Sequence, residues 1–302
     1  MKKILTGLML TVLMLTMFAV NGFASDVDYV VEDLTIENEG RIVPITVTTP
    51  TNVESYPLVV INHGHGGSRS ENGGFDRISE SLAKNGIASV RMDFAGCGDS
   101  EASFKENYLS SMHSDSIASL MYVLNNTEKY NVKKDSIGVL GYSMGARVTM
   151  RDFADGESLY SAVAILAGST DDGVVALPRL VATEGKTSED YFEEAKENGF
   201  AVYPWYGANL EISSTWFEEM AASTPLKDFE GYTGPLMSLN GDKDDVIAKE
   251  AVEGLKKAYP NAEFVTITGA DHGYGFYSEQ PEVTELLESS LVNFFTKAFQ
   301  AK

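Results

Sequence analysis

The chain is expected to fold as an α/β protein. A mostly parallel central sheet is flanked by helices, entered through an N-terminal antiparallel hairpin, and interrupted by a cap insertion. Three observations predict this. Short, wholly apolar runs at Leu58–Ile61, Ile137–Leu140 and Ala162–Leu166 suit strands covered on both faces. Segments of helical spacing alternate with those runs, which is the pattern of a parallel sheet with crossover helices. Finally, residues 172–230 lose clear periodicity over a length too great for an ordinary loop, and read as an insertion over the sheet edge where ligands bind.

Taken in order, residues 1–24 read as a signal peptide. Lys2 and Lys3 precede an apolar stretch from Ile4 to Val20, and Gly22-Phe23-Ala24 offers small residues for cleavage. The apolar core is diluted by Thr6, Thr11 and Thr16 and falls short of the ~20 residues that span a bilayer. Export is therefore expected, with no stable membrane anchor after leader cleavage. Residues 25–302 then suit one large domain. The lone Cys97 allows no internal disulfide, and the formal charge of −21 repels nucleic acid and anionic lipid. Oligomeric state is not readable.

Tyr29–Ile36 and Arg41–Thr49 alternate around Glu37-Asn38-Glu39-Gly40, as a half-solvated hairpin does. Leu58–Ile61 leads into the glycine-rich loop Asn62-His63-Gly64-His65-Gly66-Gly67. Helical patterns at Ile78–Lys84 and Ser110–Asn125 bracket a strand at Ile87–Met92. Beyond the insertion, order returns as a strand (Pro235–Leu239), a helix (Ile247–Ala258), a strand (Glu263–Thr268) and a long amphipathic helix (Glu282–Phe299).

The chemistry centres on Ile137-Gly138-Val139-Leu140-Gly141-Tyr142-Ser143-Met144-Gly145-Ala146. A serine between two glycines, on a strand-to-helix turn, is a nucleophile elbow. The turn is so sharp that side chains at 141 and 145 would strike the strand or helix. An alcohol nucleophile needs a base, and only His63, His65, His113 and His272 are available. His113 lies in a helical pattern and reads as ordinary packing or surface. His272, in Gly269-Ala270-Asp271-His272-Gly273, follows the last strand, and residues beyond strand C-termini converge on one sheet edge.

A carboxylate must orient the imidazole, and Asn240-Gly241-Asp242-Lys243-Asp244-Asp245-Val246 supplies three candidates that residue type alone does not separate. The order serine, aspartate, histidine is that of one known hydrolase arrangement. Two backbone N–H groups should form an oxyanion hole. One is that of Met144, and the other comes from the glycine loop, with His65 favoured over Gly66.

With these residues placed, the chain from about Val31 onward resembles the serine α/β-hydrolases, and within them the bacterial feruloyl and cinnamoyl esterases. The similar stretches are Val60–Gly67, Arg91–Ser100, Leu140–Ala146, Gly241–Ile247 and Ala270–Gly273. The resemblance implies Asp244 as the acid, His65 at the oxyanion position, and an insertion that shapes the substrate pocket. Cys97 stands where histidine is frequent, and His65 where an aromatic or apolar residue is common. Among the insertion's aromatics, Tyr191, Phe192, Phe200, Tyr203, Trp205, Tyr206, Trp216 and Phe217, the pair Trp205 and Tyr206 is assigned to the pocket. Most of the others are expected to form a local core.

The expected protein is an exported serine carboxylic ester hydrolase working through an acyl-enzyme. Ser143, Asp244 and His272 are its catalytic residues, and no metal or organic cofactor is needed. Its expected substrate is a small-molecule or polysaccharide-linked ester, with feruloyl, cinnamoyl or other small acyl groups. The elbow alone does not separate an ester from an amide or thioester, nor an enzyme from a ligand-binding protein on the same scaffold.

Overall fold

The structure, a computed structural model, describes residues 28–300 apart from 52, 155 and 157, so the expected leader lies outside the described residues. Strands β1 (Tyr29–Asn38) and β2 (Arg41–Pro50) form the expected hairpin, with Asn38 paired to Arg41. The turn is shorter than the pattern suggested, because Glu39 and Gly40 both take positive φ, 51° and 77°. That two-residue turn matches the twist of the flanking strands.

Next come β3 (Tyr56–Asn62), α1 (Gly74–Lys84), β4 (Ala88–Met92), α2 (Leu109–Asn125), β5 (Val132–Tyr142), α3 (Met144–Arg151) and β6 (Ala162–Leu166). The chain closes with β9 (Leu236–Gly241), α8 (Lys249–Ala258), β10 (Glu263–Ile267) and α9 (Pro281–Gln300). The sheet order is β1-β2-β4-β3-β5-β6-β9-β10, and every pairing from β4 to β10 is parallel. The continuous apolar runs thus sit where both faces are covered, as expected. Apolar layers fill both sides, one centred on α2 and α3, the other on α1 and α9.

Between β6 and β9 the structure corrects one impression left by the sequence. Residues 172–230 are mostly regular: α4 (Gly173–Leu180), α5 (Ser188–Asn198), β7 (Ala201–Trp205), β8 (Ala208–Ile212), α6 (Ser214–Ala222) and α7 (Pro225–Asp228). The residues that looked like breakers have specific places. Pro225 opens α7, where its missing N–H is no loss, and Gly207 takes φ 85° in the β7–β8 turn. Tyr191, Tyr203, Trp216 and Phe217 are buried and continuous with the main core.

Among the described residues no helix is long and apolar enough to cross a membrane, and no group of three His, Cys, Asp or Glu is placed to hold a metal ion.

Candidate active site

The order of the strands creates the site. From β3 the chain runs to β4 on one side, then returns to β5 on the other. Loops leaving the C-terminal ends of β3 and β5 therefore diverge, and a crevice opens between them. Ser143 stands at the tip of β5 with φ 53° and ψ −114°, a strained conformation for a residue bearing a Cβ.

The two glycines behave as the elbow requires. A Cβ at Gly141 would lie 2.6 Å from the Gly145 carbonyl oxygen, and one at Gly145 would lie 2.2 Å from that of Asn62. Hydrogen bonds lock the turn in place: the Ser143 N–H donates to the Leu166 carbonyl at 3.0 Å, and the Ser169 N–H to that of Ser143 at 3.2 Å.

The loops after β9 and β10 meet Ser143 there. His272 Nε2 lies 3.0 Å from Ser143 Oγ, and His272 Nδ1 lies 2.9 Å from Asp244 Oδ2. The other oxygen of Asp244 accepts from the N–H groups of Val246 and Ile247, at 2.9 and 3.0 Å. Burial pushes the Asp244 carboxyl up, but the His272 hydrogen bond and charge, together with those two amides, outweigh it and hold it below the ordinary carboxylate range. Of the three candidate acids this is the one that reaches the imidazole. Asp242 instead accepts from the Gly269 N–H at 2.7 Å, and Asp245 is exposed at the cavity rim.

The remaining histidines have other duties. Buried His63 accepts the Phe94 N–H on Nε2 at 3.1 Å and places Nδ1 2.7 Å from the Gly64 carbonyl, while His113 pairs with Asp152 at 3.0 Å. His65 is boxed by the rings of Phe104, Trp205 and Trp216. The residue is only partly buried, yet both ring nitrogens are closed off from solvent and lack partners. Burial, aided by neighbouring His63, pushes the imidazole down to about 4, so it is neutral at pH 7.

His65 and Met144 line the same cavity as Ser143. Gly64, the residue before His65, packs so closely that a Cβ there would be 3.3 Å from Ser143 Cβ. The Met144 amide opens α3, where no intrahelical acceptor exists. The alternative donor, the Gly66 N–H, is directed at the Cys97 sulfur instead. Cys97 thus has a structural use for the loop, and burial pushes its thiol up, which makes it a poor nucleophile.

A cavity of about 550 Å³ opens over Ser143 and His272. One wall is apolar and aromatic, with Leu180, Val181, Trp205, Tyr206, Ala208 and Trp216; the rim carries exposed Asp245 and Asp271, buried Glu71 lies further in, and no lysine or arginine is in the lining. Trp205 and Tyr206 therefore do line it, although Tyr206 is 87% exposed, and buried Trp216 joins them. A larger hollow of about 1270 Å³, between the β9 entry and the end of α9, holds no paired serine and histidine among the described residues.

One residue that sequence reasoning passed over is Arg147 on α3. It is 1% exposed and donates to Ser169 Oγ, Ser223 Oγ and the Asp171 carbonyl. A single guanidinium thus fastens both ends of the 173–228 segment to the elbow helix. Its place within Ala146-Arg147-Val148, in a helix packed on the sheet, was the signal available.

Residues 58–285 match the model of the alpha/beta hydrolase family, and the chain belongs to it. No curated protein sequence matches the chain. Among solved structures it is similar to Est1E from Butyrivibrio proteoclasticus with ferulic acid bound, at TM-score 0.71 and 23% identity over 89% of this chain and 100% of that one. It is also similar to an esterase from Pyrococcus furiosus (TM-score 0.62, 20% identity, 90% of this chain and 92% of that one). The esterase domain of a Rhodothermus marinus protein is similar as well (0.59, 19%, 88% and 99%). At these identities the likeness establishes the fold. Membership of the family supports a hydrolase.

Proposed function

We propose that the protein is an exported serine carboxylic ester hydrolase. The observation that carries this reading is the chain of contacts from Asp244 through His272 to Ser143, at 2.9 and 3.0 Å, on a turn whose backbone strain lifts the hydroxyl into a cavity. His272 takes the Ser143 proton as Oγ attacks the ester carbonyl, and Asp244 stabilises the resulting imidazolium. The His65 and Met144 amides hold the tetrahedral oxyanion. Collapse expels the alcohol, protonated by His272, and leaves an acyl group on Ser143. Water, deprotonated by His272, then attacks that acyl group, and the acid departs as Ser143 regains its proton.

The aromatic wall suits a flat or apolar acyl group, and the ferulic acid bound to Est1E makes feruloyl and cinnamoyl esters the first substrates to try. The leader-like residues 1–24 support export.

The test is hydrolysis of p-nitrophenyl acetate and methyl ferulate by wild type and Ser143→Ala, together with fluorophosphonate labelling. The expected loss is on the order of 10⁵ in kcat, and labelling disappears. Near-wild-type turnover by Ser143→Ala would falsify the reading.

A further inference from the structure

We propose that Glu71 is a positioning residue for the oxyanion donor, joining the loop that carries His65 to the loop that carries His272. The proposal rests on the ester hydrolase reading and deepens it. Glu71 is 2% exposed, lines the cavity, and makes no ion pair among the described residues. A carboxylate so buried, with no counter-charge, is held only by hydrogen bonds. Two are present. Its Oε1 accepts from the Gly64 N–H at 3.2 Å, and its Oε2 accepts from the Tyr277 hydroxyl.

These partners are the reason the placement matters. Gly64 immediately precedes His65, the proposed donor, and packs against Ser143. Tyr277 lies five residues beyond His272 and lines the same cavity. The carboxylate therefore spans the two loops whose relative position sets the distance from oxyanion donor to base.

The surrounding contacts orient Glu71 and hold the second loop. Glu71 takes φ 44°, and its N–H donates to the Ser68 carbonyl at 3.1 Å. Neighbouring Asn72, at φ 52°, donates from Nδ2 to the Phe276 carbonyl at 2.7 Å. Gly74 lies so close to the Phe276 ring that a Cβ would come within 2.1 Å of it. The turn at 71–74 is thus docked on the His272 loop, while Tyr142 of the elbow donates its hydroxyl to the His272 carbonyl at 2.9 Å. Gly67 leaves room for the carboxylate, since a Cβ there would fall 2.0 Å from Oε1.

Because the role is hydrogen bonding, an amide can replace the acid. In Glu71→Gln the carbonyl oxygen can still accept from Gly64, and the NH₂ can donate to the Tyr277 oxygen. In Glu71→Ala both tethers go. The experiment measures kcat and KM for p-nitrophenyl acetate, with thermal unfolding, for wild type, Glu71→Gln, Glu71→Ala, Tyr277→Phe and the Ala/Phe double variant.

Expected is a fall in kcat of about tenfold to a hundredfold in Glu71→Ala with KM little changed, as for a displaced oxyanion donor. Glu71→Gln recovers most of that loss. Tyr277→Phe shows a smaller loss of the same kind, and the double variant is no worse than Glu71→Ala, because the two share one tether. Should Glu71→Ala not fold, Tyr277→Phe and Glu71→Gln carry the test.

The proposal is overturned if folded Glu71→Ala or Tyr277→Phe retains wild-type kcat, if the change falls on KM alone, or if Gln is as damaging as Ala. Ser143→Ala separates the two failures. If it is inactive while the Glu71 variants are normal, only the positioning role is lost. Full activity in Ser143→Ala removes the hydrolase reading itself.

Discussion

Around Ser143 the backbone sets the geometry, with glycines at 141 and 145 pressed against main-chain atoms, a serine at positive φ, and amides tied to the end of β6. The 173–228 segment that walls the cavity is held differently. Its aromatic side chains pack into the core, its ends are joined by one backbone bond from Gly173 to Ser223, and Arg147 fastens them to the elbow helix. Backbone contacts tolerate no added atom, whereas side-chain packing tolerates many shapes. The first region should accordingly govern whether the reaction occurs, and the second which substrate undergoes it.

The largest expected effect lies in the relay that the elbow presents. Asp244→Asn should lower kcat by about 10⁴, with the fold intact, because the amide favours the wrong imidazole tautomer. Asp245→Asn should leave kcat nearly unchanged, since its side chain does not reach His272. Equal losses in both would break the assignment of the acid.

Stability sharpens the same contrast. Gly145→Ala forces a Cβ to within 2.2 Å of a backbone oxygen and should cost about 3 kcal/mol or more. Gly207→Ala, at φ 85° but with nothing within 4 Å, should cost only about 1 kcal/mol. Arg147→Met should cost about 2 kcal/mol, because it leaves the Ser169 and Ser223 hydroxyls and the Asp171 carbonyl without their donor, while the Asp171 carboxylate keeps Arg179. Its signature is different: amide exchange should accelerate across 173–228 while the sheet stays protected. Uniform acceleration would mean that the segment and the sheet open together.

These differences also explain what could be read from the sequence. Ala162–Leu166 was legible to the residue because burial on both faces of a parallel sheet leaves a continuous apolar run. The elbow was legible because sharp turns restrict residue type. The start of α1 at Gly74, four residues before the expected Ile78, was not, since a glycine pair reads as a breaker when its reason is a ring from position 276.

The choice of Asp244 came from family resemblance, because three aspartates on one turn look alike until the loop's path is known. The structure of 172–230 escaped notice because its prolines and glycines sit within or between short elements. Glu71 lies in a polar run, Ser68-Arg69-Ser70-Glu71-Asn72, and nothing there announces that its carboxylate turns inward.

His65 belongs to both regions, its amide to the glycine loop and its ring to the aromatic wall. Its imidazole is ordinarily protonated below about 6.5 in an unfolded chain but only below about 4 in the fold. Stability conferred by keeping it neutral is therefore present above pH 6.5 and is lost as pH falls toward 4. The loss amounts to at most about 3 kcal/mol. His65→Phe should flatten the fall in melting temperature over that interval. An unchanged acid limb would show that the ring gains protons as readily in the fold as outside it.

The smallest effect concerns the alcohol half of the substrate. The rim beside His272 carries Asp245 and Asp271, both exposed, and buried Glu71 lies further in, while no lysine or arginine lines the cavity. With a formal charge of −21 on the whole chain, an anionic substrate meets a repulsive field on approach and at the rim. For one acyl group, kcat/KM should fall about tenfold at low salt when a neutral alcohol is replaced by one bearing a carboxylate. Because the rim acids are exposed, the gap should narrow at about 0.5 M salt, where screening acts within a few ångströms. A gap insensitive to salt would place the discriminating charge deeper, at Glu71, and Glu71→Gln would then close it.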